Sequence, residues 1–288
     1  MTQRPVSNPE EWKDGEQGRK VFTAPFAFTW GTSDWPLRLC ARLVSQWWKN
    51  ISGEMVKAMS DVALEWFGHA AFKMQIAGKI LFFDPVRKNT LLGTTLEPAT
   101  ENNISAIFIS HEHWDHYDAD TILALTSPGT KTHFPFSVAS PFSCRLTFEV
   151  EDKQSLKKLT QSFSPVRIND EIEIDDISVK CLEATEGLSF LIKYGQKKIL
   201  FMGDSIALED MIEEKPDIIL FPIWAVEGEE SDMENFLKLA GESICVPMHF
   251  HNNPDSLPNF FIESDKLQNL FPQNIKLKVL ERNVPVEF

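Results

Sequence analysis

The segment His111-Glu112-His113-Trp114-Asp115-His116 places three imidazoles and a carboxylate next to one another. It follows the apolar run from Ile104 to Ser110, which is typical of a buried strand. Imidazole nitrogens and carboxylate oxygens are the ligands that suit zinc, iron and manganese. Because a short loop at a strand end can direct several such groups at one point, the segment predicts a metal site.

The spacing of these side chains favours two metal positions. Successive side chains of an extended chain point to opposite faces, so His111 and His113 share one face. Asp115 and His116 then turn towards a second position. The alternative is a histidine-rich surface loop, which requires three of the seven histidines in the chain to cluster by chance.

Further metal-binding candidates follow two later strands. Asp204 lies in Gly203-Asp204-Ser205, directly after the apolar run Ile199 to Met202, where its carboxylate could bridge two cations. His249 ends the segment Cys245 to His249 in the same way. Taken alone, Asp204 would be interpreted as a turn residue and His249 as a core histidine. Together with the loop His111–His116, they complete the predicted metal site. His251 is a candidate to face the substrate or to support the ligands.

Composition restricts the class of protein. A chain of 288 residues with 43% hydrophobic and 24% charged residues can form one large α/β domain. The net charge of -14 argues against a nucleic-acid partner, which requires excess Lys and Arg. Four widely spaced cysteines predict free thiols in a reducing compartment. Without a signal peptide or the roughly 18 apolar residues that span a bilayer, the sequence predicts a cytoplasmic protein.

We expect residues 1–60 to form an N-terminal segment packed on a main domain of residues 61–288. Residues 1 to about 20 predict a loose arm, and Trp35 to Lys49 has the spacing of an amphipathic helix. The alternative to packing is that the aromatic residues 22–50 contact a membrane peripherally or shape an apolar substrate pocket.

The main domain shows two strand-rich halves, each closed by helices. Short apolar or alternating runs predict strands at 62–66, 72–76, 80–83, 132–134, 171–174, 177–182, 188–192, 198–202, 218–221, 243–246 and 276–280. Helices are predicted at 119–125, 209–213, 232–239 and 265–270. This order predicts an α/β (α+β) fold in which two sheets pack face to face with helices outside.

Together these motifs resemble the metallo-β-lactamase fold superfamily over about residues 60 to 282. The closest resemblance is to the branch with ascorbate-phosphate lactonases and N-acyl-phosphatidylethanolamine phospholipase D-like hydrolases. That branch is indicated by four further segments and by the leader around Trp35-Pro36-Leu37-Arg38-Leu39. The segments are Trp66 to Phe72, Phe83-Asp84-Pro85-Val86, Phe221-Pro222-Ile223-Trp224 and Val246-Pro247-Met248-His249-Phe250.

The resemblance implies a four-layer αββα sandwich of two mixed sheets with a dinuclear metal site at one edge. It assigns His111 and His113 to the first metal and Asp115, His116 and His249 to the second, with Asp204 as the bridge. Asp84 resembles a supporting carboxylate near the site, and His69 a residue beside the cleft.

The chain departs from the family pattern at one metal position. The family has another histidine between the metal loop and the bridging aspartate, but this chain has no histidine from 134 to 248. Glu186 occupies the best-matching position, with Glu183 in reserve. Because a carboxylate is a harder ligand than imidazole, this change shifts the preference from zinc towards iron or manganese.

The sequence therefore predicts a metal-dependent hydrolase with two divalent ions, zinc first and manganese or iron as alternatives. The ions would activate a water for attack on a phosphodiester, lactone or acyl bond of a small or lipid-like substrate. Asp115 would orient that water, and His251 or His69 would donate a proton to the leaving group. The alternatives are a di-iron oxygenase, motivated by Glu186, and a binding protein with a residual site.

Overall fold

A computed structural model describes residues 62–136, 153–226, 229–250 and 264–288. The predicted N-terminal arm and amphipathic helix lie outside these residues, so the role of residues 1–60 and the domain boundary stay predictions. His251 also lies outside them. Among the described residues, no helix is both long and apolar enough to cross a membrane.

Fourteen strands are present in the described part of the chain, and they form two sheets of seven. The strands are β1 Val62–Gly68, β2 Ala71–Ile76, β3 Lys79–Phe83, β4 Ala106–Phe108, β5 Lys131–Pro135, β6 Phe163–Val166, β7 Glu171–Ile174, β8 Ile177–Glu183, β9 Leu188–Tyr194, β10 Lys197–Phe201, β11 Ile218–Pro222, β12 Ile244–Met248, β13 Lys276–Leu277 and β14 Val286–Glu287. The helices of the same residues are α1 Ala119–Leu125, α2 Lys153–Ser162, α3 Glu209–Glu214, α4 Glu230–Ala240 and α5 Ser264–Leu270, with short 3-10 helices at Pro98–Thr100 and Ile223–Val226.

Both sheets are mixed. The first has the order β14-β1-β2-β3-β4-β5-β6, with antiparallel pairs up to β3 and parallel pairs from β3 to β6. The second has the order β13-β12-β11-β10-β9-β8-β7, antiparallel from β7 to β10 and parallel from β10 to β13. The tight turns at Asp175 and Gly195, both at positive φ, join the antiparallel strands as the sequence predicts.

Alternation along the strands separates a central core from two outer cores. In β4, Ala106 and Phe108 join the central core between the sheets, while Ile107 packs outside with Ile122 of α1 and Leu159 of α2. On the other side, the second sheet packs against helical residues that include Met211, Phe236 and Leu239. Each fully buried aliphatic or aromatic side chain contributes about 1.5–3 kcal/mol. The result is the αββα sandwich expected from the sequence.

Most predicted elements are confirmed within a residue or two, and the exceptions are instructive. The sequence analysis did not predict α2 or β6. Lysine, serine and glutamine dominate α2, and Leu159 of this helix is fully buried in the outer core. The strand predicted at 276–280 covers only Lys276–Leu277. Lys278 N still donates to Cys245 O at 2.8 Å, so the chain continues beside β12 without regular pairing.

Candidate metal centre

The predicted site residues that the structure describes lie after strands or in turns at one edge of the sandwich. In parallel strands the carboxyl ends meet at the same edge, so residues distant in sequence come together there. His69 lies in the turn between β1 and β2, Asp84 after β3, the loop His111–His116 after β4, Glu186 between β8 and β9, Asp204 after β10 and His249 after β12.

These residues form two groups that could each hold a metal ion. In each group, one ligand atom per residue lies within 4.8 Å of all the others. The first group is His111, His113, Glu186 and Asp204, and the second is His69, Asp115, His116 and His249. The division matches the expected assignment of ligands, except that the second group also includes His69.

Glu186 completes the first group. Its Oε2 lies 3.1 Å from His113 Nδ1 and 3.8 Å from His111 Nε2. A backbone hydrogen bond from Glu186 N to Asp204 O, 3.1 Å long, ties its loop to the strand end that carries Asp204. Glu186 therefore stands where the departure from the family pattern requires a ligand, and Glu183, the reserve candidate, is outside both groups.

The second group converges on one carboxylate oxygen. Asp115 Oδ2 lies 3.0 Å from His69 Nε2, 3.4 Å from His249 Nε2 and 3.7 Å from His116 Nε2. His69 is fully buried, and its backbone carbonyl accepts from Trp66 Nε1 at 2.9 Å and from His249 N at 3.1 Å. The turn that carries His69 is thereby attached to the loop that carries His249.

Asp204 lies between the two groups. Its Oδ1 is 3.2 Å from His116 Nε2 and 3.4 Å from His249 Nε2, while its Oδ2 is 3.9 Å from His111 Nε2. One oxygen thus faces each group. This is the arrangement expected of a carboxylate that bridges two cations.

A buried hydrogen-bond network contacts one histidine of each group at the ring nitrogen that faces away from the candidate metal position. Asp84 is fully buried, and its Oδ2 lies 2.7 Å from His116 Nδ1 and accepts from Ser110 Oγ at 2.6 Å. Ser110 Oγ lies 2.9 Å from His111 Nδ1, and Ser110 N donates to Asp84 Oδ1 at 2.7 Å. The sequence analysis did not identify Ser110, although its position directly before the first histidine was a signal. Such partners fix the ring orientation of ligating histidines.

Two glycines allow the loops to approach Ser110. Gly187 has φ +71°, and a Cβ there would lie 2.1 Å from Ser110 O and 2.7 Å from His111 Cβ. Gly203 has φ +57°, and its Cβ would lie 2.8 Å from Ser110 Cβ. Both positions therefore require glycine for backbone conformation and for space.

The groups fit a pair of cations by their unsatisfied atoms. His111 Nε2, His116 Nε2 and Asp204 Oδ1 are buried and make no hydrogen bond with the described residues. If His116 Nδ1 donates to Asp84, the neutral ring presents a lone pair at Nε2 towards the oxygens of Asp204 and Asp115. Buried lone pairs that face one another are costly unless a positive charge lies between them.

The pKa values of the site residues also indicate that the two groups attract positive charge. Burial lowers the pKa of His111 to about 3 and that of His69 to about 3, so both rings are neutral. Burial also opposes the protonation of His116, yet the carboxylates of Asp204 and Asp84 outweigh it and raise its pKa well above the usual value. Despite burial, hydrogen bonds with His249 and His69 hold the pKa of Asp115 far below its usual range. The carboxylates of the centre therefore attract positive charge, which a proton on His116 supplies in the metal-free protein and which divalent cations would supply in its place.

The two groups differ in exposure. The side chains of His113 and Glu186 are 48% and 49% exposed, whereas those of His69 and His116 are fully buried. Asp115 keeps 14% exposure. Substrate and water can therefore reach the first group and Asp115, but not the ring of His69. The side chain of His69 is fully buried, and the proton-donor role expected of it stays a prediction.

Comparison with known proteins places this architecture in a family. A model described as a beta-lactamase superfamily domain matches residues 63–249. A UPF0173 metal-dependent hydrolase from Caldivirga maquilingensis is 27% identical over 202 residues, which cover 66% of this chain and 83% of that protein.

Solved structures share the fold. Igni18, a metallo hydrolase from Ignicoccus hospitalis, superposes with a TM-score of 0.57 at 22% identity, over 79% of this chain and 98% of Igni18. CmlA, a diiron beta-hydroxylase from Streptomyces venezuelae, superposes with a TM-score of 0.52 at 14% identity, over 80% of this chain and 54% of CmlA.

The resemblance stated from the motifs is confirmed for the superfamily, while the branch with lactonases and phospholipases stays a prediction. The enzyme class, a metal-dependent hydrolase, agrees with the names of the matching relatives. The matched region runs from β1 to His249 and so includes both groups of candidate metal ligands. The chain belongs to the beta-lactamase superfamily domain family.

Proposed function

We propose that the chain hydrolyses an ester-type bond, in a phosphodiester, lactone or acyl substrate, with a pair of divalent cations at the two groups. The observation that supports this most is Asp204, which turns one carboxylate oxygen to each group. When bound, such cations lower the pKa of a water and polarise the bond that is cleaved. Zinc is the first candidate for both positions, with manganese or iron as alternatives.

The protein's own residues divide the work. His111, His113 and Glu186 would hold the first cation, and His116, His249 and Asp115 would hold the second. Asp204 lies between the two groups and would contribute to both. Asp115 is the partly exposed member of the second group, so it is placed to orient the attacking water by accepting a hydrogen bond from it. His251 remains the candidate to protonate the leaving oxygen.

A cavity next to the metal loop suits the remainder of a small substrate. It measures about 340 Å³, and its lining includes Trp114, Lys88 and Asn89. Trp114 is 49% exposed between two of the metal-binding candidates. Its ring offers an apolar face. Asp118 and Asp120 also line the cavity and pair with Arg87, so Lys88, which has no ion pair within the described ranges, offers a further positive charge. We therefore favour a small substrate with a planar or apolar part and an acidic group over a long lipid.

The test begins with elemental analysis of purified protein and a panel of phosphodiesters, lactones and acyl amides. We expect two equivalents of divalent metal and turnover of one ester class. Asp115→Ala and His249→Ala should abolish that turnover while circular dichroism shows the fold retained. Sub-stoichiometric metal with no turnover would instead indicate a binding protein.

Glu186 supports a second candidate, a di-iron oxygenase. A carboxylate in place of imidazole adds negative charge and favours harder ions. This candidate predicts iron in protein from iron-replete cells and an absorbance change on reduction. Zinc or manganese content with esterase activity and no redox response would rule it out.

A further inference from the structure

His69 belongs to the second group by geometry, although neither the sequence motifs nor the proposed division of ligands assigns it a metal. Its Nε2 lies 3.0 Å from Asp115 Oδ2, the oxygen that the other two imidazoles of this group also approach. All four ligand atoms of the group lie within 4.8 Å of one another. His69 therefore lies among the candidate ligands, and not among the residues that only contact a ligand.

The distances between Asp115 Oδ2 and the imidazole nitrogens of the second group match those between ligands of one metal ion. Ligands bound about 2.1 Å from a metal lie about 3.4 Å apart in a tetrahedron and about 3.0 Å apart in an octahedron. The three imidazole nitrogens around Asp115 Oδ2 lie at 3.0, 3.4 and 3.7 Å. A hydrogen bond explains the first of these distances but not the convergence of three rings on one oxygen.

The backbone holds His69 in an uncommon conformation at this point. Its φ is +51°, a value that costs a non-glycine residue about 1 kcal/mol or more. Two hydrogen bonds to its carbonyl, from Trp66 Nε1 and His249 N, fix the turn. The ring centroid lies 4.0 Å from that of His249. Strained residues that the surrounding structure holds in place are frequent at functional sites.

We propose that His69 is a ligand of the second cation, an inference that rests on the proposed two-metal function. The second group would then offer His69, Asp115, His116 and His249, with Asp204 as a fifth donor. With so many protein donors, the second cation would be held more as in a structural site than as in a catalytic site, which keeps a position free for water or substrate. The first cation would then be the more accessible one, because His113 and Glu186 are partly exposed.

His69→Gln separates a metal ligand from a hydrogen-bond partner of Asp115. The glutamine amide can still donate to Asp115 but is a poor ligand. The matched control is His133→Gln, because His133 is also buried, stacks on Phe108 at 4.9 Å and lies outside both groups. Each protein is stripped with a chelator, reloaded with Co²⁺, and followed by metal titration and visible absorption.

We expect wild type and His133→Gln to bind two equivalents with the same spectrum. His69→Gln should bind one of the two ions at least tenfold more weakly, with a changed spectrum for that ion. Two tightly bound equivalents and an unaltered spectrum in His69→Gln would overturn the inference and leave the two-metal proposal intact. Fewer than two equivalents in wild type would instead overturn the proposed function.

A second measurement covers the case in which His69→Gln does not fold. NMR of wild type loaded with cadmium and labelled at histidine nitrogens detects scalar coupling between the metal and each ligating imidazole. We expect coupling for His69, His111, His113, His116 and His249. Coupling for the other four without His69 would refute its role as a ligand.

Discussion

Replacing Gly187 by alanine tests the packing that places Glu186 beside the metal loop. The new Cβ would lie 2.1 Å from Ser110 O, and an ordinary contact is about 3.4 Å, so one of the two segments must move by more than an ångström. That movement would break the hydrogen bond from Leu188 N to Ser110 O, now 3.0 Å. Gly78→Ala is the matched control, with φ +73° and no atom within 4 Å of its Cβ.

The control isolates the cost of the clash. Alanine at positive φ costs about 1–2 kcal/mol at either position. Overpacking adds about 1–3 kcal/mol and the lost hydrogen bond about 1 kcal/mol at position 187 only. We therefore expect Gly187→Ala to lose about 3–6 kcal/mol of unfolding free energy and Gly78→Ala about 1–2 kcal/mol.

Urea denaturation of the metal-free proteins, followed by circular dichroism, measures both losses. Metal titration should show weakened binding at the first group in Gly187→Ala, because His111 Cβ is also displaced, and wild-type binding in Gly78→Ala. Equal losses of stability in the two variants would refute the close contact between Gly187 and Ser110.

Four further outcomes can be measured. Asp84→Asn should weaken the binding of both ions by about 10–100-fold in a metal titration, since Asp84 supports a histidine of each group; loss at one ion alone would contradict this. Burial raises the pKa of Glu214, but hydrogen bonds from Lys180 and Lys198 outweigh it and bring the pKa from 4.5 to about 2. Because that folded-state pKa is depressed, the stabilisation is complete above pH 4.5 and is lost as the pH falls towards 2. Glu214→Gln should therefore lose about 1–2 kcal/mol at pH 7 in urea denaturation, and the difference from wild type should shrink below pH 4.5; a constant difference from pH 7 to 3.5 would argue against the ion pairs. Phe236→Ala should lose about 3–5 kcal/mol by the same assay with metal content unchanged, because Phe236 is fully buried in the outer core of the second sheet. Trp114→Ala should raise KM more than it lowers kcat for the substrate that the panel identifies, and a pure kcat effect would remove Trp114 from substrate binding.

The fold and most of the candidate site could be predicted from the sequence because both depend on local patterns. Alternation in β2 and an unbroken apolar run at β4 mark strands, and a histidine or aspartate directly after a buried strand marks the edge where ligands meet. Glu186 could be selected because the chain offers no histidine in that region.

The remaining features depend on contacts between distant segments. Burial of His69 follows from the hydrogen bond between its carbonyl and His249 N, which periodicity does not show. Ser110 acts through Asp84, a residue 26 positions away. The helix α2 has only two apolar residues among ten, Leu156 and Leu159, so its composition is close to that of a polar loop, although their spacing is helical.

If two cations bind as proposed, the network behind the candidate ligands would make the occupancy of one position depend on that of the other. Asp84 contacts His116 directly and His111 through Ser110, so one carboxylate sets the ring orientation in both groups. When a first ion fixes one ring, it also fixes Asp84 and Ser110, and the second ion then meets a histidine that has already lost its freedom. Thermodynamic reciprocity requires the benefit to run equally in both directions. Loading of the centre should therefore be cooperative, with the half-filled protein scarce at equilibrium.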